Sequence, residues 1–345
     1  MSDFPAVVVG AGAAGLAASW HLRRNGRRFV VLDAGARPGD VWRSRYDSLR
    51  LFTPARFCEL PGLPMHVPPG AHPGKDEMAD YLARYAERFD LPVRPGSVVR
   101  THRVDQGRHR LSGDGFAIET DRLIVATGAC RTPATPAFAA ALAPAVRHLH
   151  SGDYRRPSDL PAGRVLVVGA GPAGADIALE LSATHEVWLA GESTGHIPVS
   201  LVRSAVVRRT VYDRRMPAGR LGRLVRARLA RRGGPLIWQT EALLRRVGVR
   251  RVPRVAGVRD GLPQLVDGRV LAVAAVVWCT GFRPGYGWMD ARALGPHGWP
   301  EHFRGVSATL PGLGYVGLPQ QNTLGSGFLG AMSNDAASVV ARLGR

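Results

Sequence analysis

The chain has 345 residues, 45% of them hydrophobic and 21% charged, with a formal net charge of +19. That length suits one large or two ordinary domains. No apolar run reaches the ~18 residues of a membrane helix, and no basic region precedes the first apolar run, so neither an anchor nor a signal peptide is expected and a cytoplasmic protein is. Cys58, Cys130 and Cys279 are far apart without a Cys-x-x-Cys, which argues against a redox dithiol or a zinc ribbon; no metal site is expected. Lys75 is the only lysine among the 46 basic residues. The charge is therefore arginine in an Ala-, Gly-, Pro- and Val-rich chain, which reads as compositional bias rather than a nucleic-acid surface.

In chain order, residues 6–9 read as a buried parallel strand, 13–25 as a helix stopped by Asn25-Gly26, and 28–33 as a second strand. Residues 52–74 are rich in Pro and Gly and read as irregular. Residues 75–89 spell an amphipathic helix with Met78, Leu82, Tyr85 and Phe89 on one face. Strand-like runs then lead to a turn-rich exit at 126–136. The plan repeats: a strand to Gly169, a helix over 173–182, a strand at 186–190, a very basic helix over 217–232, and a strand run at 269–284 whose Thr280-Gly281 echoes Thr127-Gly128. A closing helix is expected from about Ser333.

Each half carries Gly-x-Gly-x-x-Gly between a strand and a helix, with an acid 23 residues after the first glycine: Gly10, Gly12, Gly15 and Asp33, then Gly169, Gly171, Gly174 and Glu192. The first glycine permits the tight turn, the second lets backbone approach a pyrophosphate, and the third allows close helix–strand packing. The helix N-terminus offers free N–H groups and the positive end of its dipole to phosphate, and the acid suits ribose hydroxyls. Two such sites imply two dinucleotides. The economical pairing is FAD in the first and NADPH or NADH in the second, with hydride passing from nicotinamide to flavin.

Residues 38–61, "PGDVWRSRYDSLRLFTPARFCELP", resemble the G-G-x-W…Y-D-x-L…P-x-x-F-C-x-L-P stretch of YUCCA-type flavin-containing monooxygenases. "HLHSGDY" (148–154) resembles the end of their H-S-x-x-Y motif. "ATGACRTPATP" and "WCTGFRP" resemble their two Thr-Gly linkers, and "GLPQQNTLGSGFLGAMSNDA" their C-terminal flavin segment. The resemblance covers almost the whole chain. It implies a class B flavoprotein monooxygenase with an α/β fold of two dinucleotide-binding, Rossmann-like βαβ domains, glutathione-reductase-like. The FAD domain would be 1–155 plus 280–345, and the NAD(P)H domain 156–279. The implied chemistry is a C4a-(hydro)peroxyflavin that gives one oxygen atom of O2 to a small-molecule substrate. By carry-over, Gly10, Gly12, Ala13, Gly15 and Asp33 hold the ADP half of FAD, Gly39 and Trp42 lie by the flavin, and Val99 touches the adenine. Thr127, Gly128, Thr280 and Gly281 lie at the crossing between domains, Ser326 and Gly327 lie near the ribityl or ring, and Gly169, Gly171 and Gly174 hold the nicotinamide nucleotide. The closing helix would point its N-terminus at the flavin.

Several positions depart from the family pattern. Gly39-Asp40-Val41-Trp42 lacks one glycine, and Pro144 and Val146 stand in place of an F-x-G. Phe52 stands where several amine-oxidising members carry Asn. Glu192 stands where an Arg usually grips the NADPH 2′-phosphate, which favours NADH. Pro198-Val199 replaces a Pro-Arg. His150 and Tyr154 read as a structural pair tying the domains. Residues 220–232, with Leu221, Leu224, Val225 and Leu229 on one face, read as a solvated helix in preference to one lying on a membrane. No side chain is named as catalytic. A flavin reductase serving an acidic redox protein and a vestigial binder are the competing classes. The substrate is not legible, and a homo-oligomer is left open.

Overall fold

The structure, a computed structural model, describes residues 2–217, 222 and 233–344. Of the basic helix expected over 217–232, all but Pro217 and Gly222 lie outside the described residues, and so do the four apolar positions Leu221, Leu224, Val225 and Leu229 assigned to one of its faces.

The first half begins with β1 (Ser2–Val9), α1 (Ala13–Arg24) and β2 (Val30–Leu32), followed by the short α2 (Asp40–Arg43) and α3 (Lys75–Arg88). Strands β3 (Val93–Arg94), β4 (Val99–Asp105), β5 (Arg108–Gly113) and β6 (Phe116–Val125) complete it. The chain crosses through β7 (Thr132–Pro133) into β8 (Arg147–His150), β9 (Arg164–Val168), α4 (Pro172–Leu181) and β10 (Glu186–Ala190). Helices α5 (Val199–Arg203), α6 (Ala205–Val207) and α7 (Glu241–Arg246) precede β11 (Arg250–Val252), a hairpin of β12 (Val255–Arg259) and β13 (Leu262–Leu265), and β14 (Ala275–Trp278). Strands β15 (Phe282–Arg283), β16 (His302–Phe303), β17 (Val306–Ser307) and β18 (Leu313–Tyr315) then lead to α8 (Leu329–Leu343).

Two sheets result. The larger runs β16-β17-β18-β6-β1-β2-β3, with β5 and β4 branching from β6; the second runs β11-β10-β9-β14-β8 and is parallel throughout. Parallel strands bury both faces, which explains their unbroken apolar runs. Val8, Val31 and Ile124 face α1, α3 and α8, while Val7, Val9, Val30 and Leu32 face the opposite core with Tyr315. In the second sheet Val165, Val167 and Val277 pack on Ala175, Ile177 and Leu181 of α4. Leu16 of α1 is wholly buried; cutting it to Ala would cost about 2–5 kcal/mol.

The strand at Arg147–His150 pairs with β14 in the second sheet, although it precedes the boundary expected at residue 155. The run at 269–284 is a strand only over 275–278 and 282–283. The closing helix starts at Leu329, four residues before the expected Ser333, because the apolar Leu329 and Ala331 already turn into the core. The crossings lie side by side: Phe282–Arg283 pairs antiparallel with Thr132–Pro133.

Candidate active site

The two glycine turns are built alike. Gly10 has φ +106° and Gly169 φ +108°. Gly10 N–H donates to Leu32 O at 2.7 Å, and Gly169 N–H to Ala190 O at 2.9 Å, so each turn is pinned to the end of the next strand. A β-carbon at Gly15 would stand 1.8 Å from Gly10 O, and one at Gly174 1.8 Å from Gly169 O, which is the close packing asked of the third glycine. Gly12 and Gly171 differ: at Gly12 a β-carbon would meet nothing within 4 Å, and at Gly171 only the Thr194 methyl at 4.0 Å. Each is the N-cap of its helix, and neither helix receives a side-chain cap. Open backbone at an uncapped helix N-terminus fits a pyrophosphate in both places. The buried Thr280 hydroxyl beside the second turn also makes no hydrogen bond among the described residues.

The acids behave differently. Asp33 braces its own turn, accepting from Ala11 N–H at 2.5 Å and from Gly35 N–H at 2.7 Å. Glu192 is exposed. Beside it, the Arg251 guanidinium donates to Gly191 O at 2.7 Å and pairs with Glu241 at 3.7 Å. Arg203, at the end of α5, is hydrogen-bonded to His72 at 3.1 Å.

The other expected residues come from several separate elements. Ala13 is buried in the first turn of α1. Gly39 has φ +92° and presses on α3, where a β-carbon would stand 2.4 Å from Ala79 O; Trp42 packs on the same core. Val99 opens β4 and is half-buried. Thr127 and Gly128 follow β6, and Gly281 O bonds His150 at 2.9 Å. Ser326 shapes the C-terminal loop, its hydroxyl accepting from Asn322 N–H at 3.0 Å and Thr323 N–H at 2.9 Å. His150 and Tyr154 are not on a helix: His150 ends β8, and Tyr154 follows the next turn and donates to Glu180 at 2.8 Å.

Between the halves lies a cavity of about 660 Å³. Phe52 and Thr53 come from the segment before α3, Pro172 and Asp176 from α4, Trp238 and Gln239 from the loop before α7, and Phe328 and Gly330 from the start of α8. Aromatic rings form part of its walls: Phe52 meets Phe328 edge-on at 5.3 Å, and Tyr212 meets Phe328 at 5.7 Å. Arg50 and Arg208 also line it. Arg208 lies over the Phe57 ring at 4.7 Å and abuts Gly330, where a β-carbon would meet its guanidinium at 2.6 Å.

Asp176 is the polar centre of one wall. It accepts from Tyr46 O–H at 3.0 Å and from the Gln239 amide. Burial raises its carboxyl above the usual range, only partly offset by these donors. Sequence reasoning passes over Asp176, Gln239 and Arg208. The available signal is an acid within the mostly apolar helix "PAGADIALEL", two residues after Gly174.

The profile of the family described as pyridine nucleotide-disulphide oxidoreductase matches residues 7–200. A CzcO-like oxidoreductase of Geobacillus kaustophilus is 34% identical over 340 residues, covering 97% of this chain and 96% of its own. A probable indole-3-pyruvate monooxygenase of Arabidopsis thaliana, YUCCA7, is 28% identical over 90% of this chain and 83% of its own. A solved flavin-containing monooxygenase from Stenotrophomonas maltophilia superposes with a TM-score of 0.82 at 28% identity, covering 100% of this chain and 99% of that one. The chain therefore belongs to the pyridine nucleotide-disulphide oxidoreductase family, as an enzyme of the flavin-containing monooxygenase type with the two-dinucleotide-binding-domain fold and with FAD and a nicotinamide nucleotide as its cofactors.

Proposed function

We propose that this protein takes reducing equivalents from NADH or NADPH and places one atom of O2 into a small organic substrate held in the cavity between its halves. FAD, when bound, supplies hydride acceptance and the activation of O2. In this reading Gly10, Gly12, Ala13, Gly15 and Asp33 hold its ADP half, with Gly39, Trp42, Val99, Thr127, Gly128 and Ser326 along its length. Gly169, Gly171, Gly174 and Glu192 hold the nicotinamide nucleotide, and Thr280 and Gly281 mark the return crossing. The FAD-binding part is then the start and end of the chain, and the nucleotide-binding part the sheet from Arg147 to Trp278.

The observation that carries the reading is the cavity itself. It is mainly apolar, and it touches both the helix behind the second glycine turn, at Pro172 and Asp176, and the N-terminus of α8, at Gly330. Phe52, Phe328 and Trp238 would exclude water from whatever reacts there. Arg50 and Arg208 on aromatic walls suit a substrate with a flat apolar body and an anionic group. Relatives named indole-3-pyruvate monooxygenases act on a molecule of that kind. Indole-3-pyruvate is accordingly the first substrate to offer.

The test is turnover of the FAD-loaded protein with NADH or NADPH and indole-3-pyruvate under 18O2. One labelled atom in the organic product per nucleotide oxidised supports the proposal. Label found only in peroxide or water overturns it; rapid reduction of an acidic electron-transfer protein would then favour the reductase class, to which the +19 net charge is suited.

A further inference from the structure

Tyr46 belongs by sequence to the first half but is buried in the core of the second. It is 6% exposed, belongs to the buried core that includes Val165, Val167, Ala170 and Ala175, and has its ring 6.5 Å from that of Tyr154. Ala170 is the residue inside the second glycine turn, and Ala175 lies on α4. The ring therefore reaches across the junction into the core that also holds Ala170 of the turn. Its hydroxyl donates to Asp176 at 3.0 Å, and the other Asp176 oxygen accepts from Gln239.

The segment carrying Tyr46 is itself fixed. Asp47 N–H donates to Arg155 O at 2.8 Å, Asp47 pairs with Lys75 of α3 at 3.5 Å, and Leu51 N–H donates to Pro73 O at 2.8 Å. One helical turn beyond Asp176, Glu180 accepts from Tyr154. Positions i and i+4 of α4 thus face the same way and take one phenol each. A half-buried carboxylate is costly unless its oxygens are satisfied. Simple packing of α4 would be served as well by Ala or Leu. What the carboxylate adds is a direction: it fixes the rotation of α4 about its axis, and with it the aim of the N–H groups of Gly171, Ala173 and Gly174.

We propose that Tyr46 and Asp176 are a positioning pair that sets how the second glycine turn presents its nucleotide to the cavity. This rests on the reading that the second turn takes the nicotinamide nucleotide. Neither residue exchanges a proton or an electron in this role.

The test uses Tyr46→Phe, which keeps the ring and removes one hydroxyl. Two measurements are made on FAD-loaded protein: hydrogen exchange of residues 169–176 without nucleotide, and the anaerobic rate of flavin reduction over a range of NADH and NADPH concentrations. Exchange is expected to speed up about tenfold in that segment. The limiting reduction rate should fall about tenfold or more, since small misplacements of reacting groups are that expensive, while the apparent Kd moves less than about threefold. Asp176→Ala should behave like Tyr46→Phe. Asp176→Asn should recover most of the rate, because the amide oxygen still accepts from Tyr46 and its N–H2 can meet a reoriented Gln239. Unchanged exchange together with an unchanged limiting rate overturns the proposal, as does a loss confined to Kd. A wild-type protein that neither nucleotide reduces sinks the functional reading instead, and the exchange comparison still decides the positioning role.

Discussion

Gly10 lies so close to Ala126 that a β-carbon on it would stand 2.5 Å from the Ala126 carbonyl oxygen, and Gly169 stands to Cys279 in the same way at 2.3 Å. Each first glycine is wedged against the strand that ends in a Thr-Gly crossing. The requirement is double, since both also hold a positive φ that L side chains rarely adopt.

Substitution at the two kinds of glycine should therefore separate folding from binding. Gly10→Ala must shift backbone and should lower stability by about 1–3 kcal/mol or more along with FAD retention. Gly12→Ala meets nothing in the protein. It should leave the thermal midpoint of flavin-free protein unchanged and weaken FAD binding, because its methyl occupies space a pyrophosphate would need. Differential scanning fluorimetry with a flavin-release assay reads both. A Gly12→Ala protein that binds FAD normally would remove the first turn as the flavin site.

What is legible in the sequence follows from how local each signal is. The turns at Gly10 and Gly169, α1, α3 and β10 are specified by adjacent residues, and their bounds fall within one residue or so of expectation. The strand at Arg147–His150 escapes assignment to the second sheet, since its partner β14 lies about 130 residues later. The cavity is less local still. Phe52, Asp176, Gln239 and Phe328 come from four distant segments, and no periodicity marks them as neighbours. Asp176 is hidden by its role: a half-buried acid reads as a helix residue until its donors, Tyr46 and Gln239, are known.

The coenzyme choice turns on Glu192 and Arg251. Glu192 would repel a 2′-phosphate, while Arg251, bonded to Gly191 O at 2.7 Å, stands beside the same strand end. Its guanidinium is partly engaged by Glu241 at 3.7 Å. NADH should therefore give a kcat/KM at least equal to that of NADPH. Glu192→Gln should raise kcat/KM for NADPH by about tenfold, the worth of about 1.4 kcal/mol, and change NADH little. A wild-type preference for NADPH would show that Arg251 outweighs the carboxylate.

His102 and His109 give the fold a pH limit. Asp290 N–H donates to His102 Nδ1 at 3.3 Å, His102 Nε2 lies 3.0 Å from His109 Nδ1, and His109 Nε2 lies 2.9 Å from Pro311 O. One tautomer satisfies every contact, with both rings neutral and each Nε2 donating. Burial, then repulsion from His109, lowers His102 to about 4; burial lowers His109 as well. A folded pKa below the unfolded 6.5 means the folded state binds fewer protons. This stability is present above pH 6.5 and is lost as pH falls toward 4, by about 3 kcal/mol for His102 at 1.36 kcal/mol per unit. Urea midpoints at pH 7.5 and 5 should fall further apart in wild type than in His102→Phe. Equal pH dependence in the two proteins would place the acid lability elsewhere.

Asp335 carries the opposite sign. It is 1% exposed within α8, and its Oδ2 makes no hydrogen bond among the described residues. Burial pushes its carboxyl up to about 6, against the lowering effect of Ser326 and Asn322. The folded state here binds the proton more tightly than the unfolded one. The resulting penalty sets in as pH rises above about 4 and is complete above about 6, so at pH 7.5 the protein bears a cost on the order of 2–3 kcal/mol for an ionised buried acid. Asp335→Asn should therefore be more stable than wild type at pH 7.5, and the gain should shrink as pH falls toward 4.5. Chemical unfolding of both proteins at the two pH values checks this, and a difference independent of pH would mean that the carboxyl titrates alike in the folded and unfolded states. The same loop holds Ser326 at the entrance to α8, so a stabilised Asp335→Asn protein that keeps less FAD would show why a costly carboxylate is retained there.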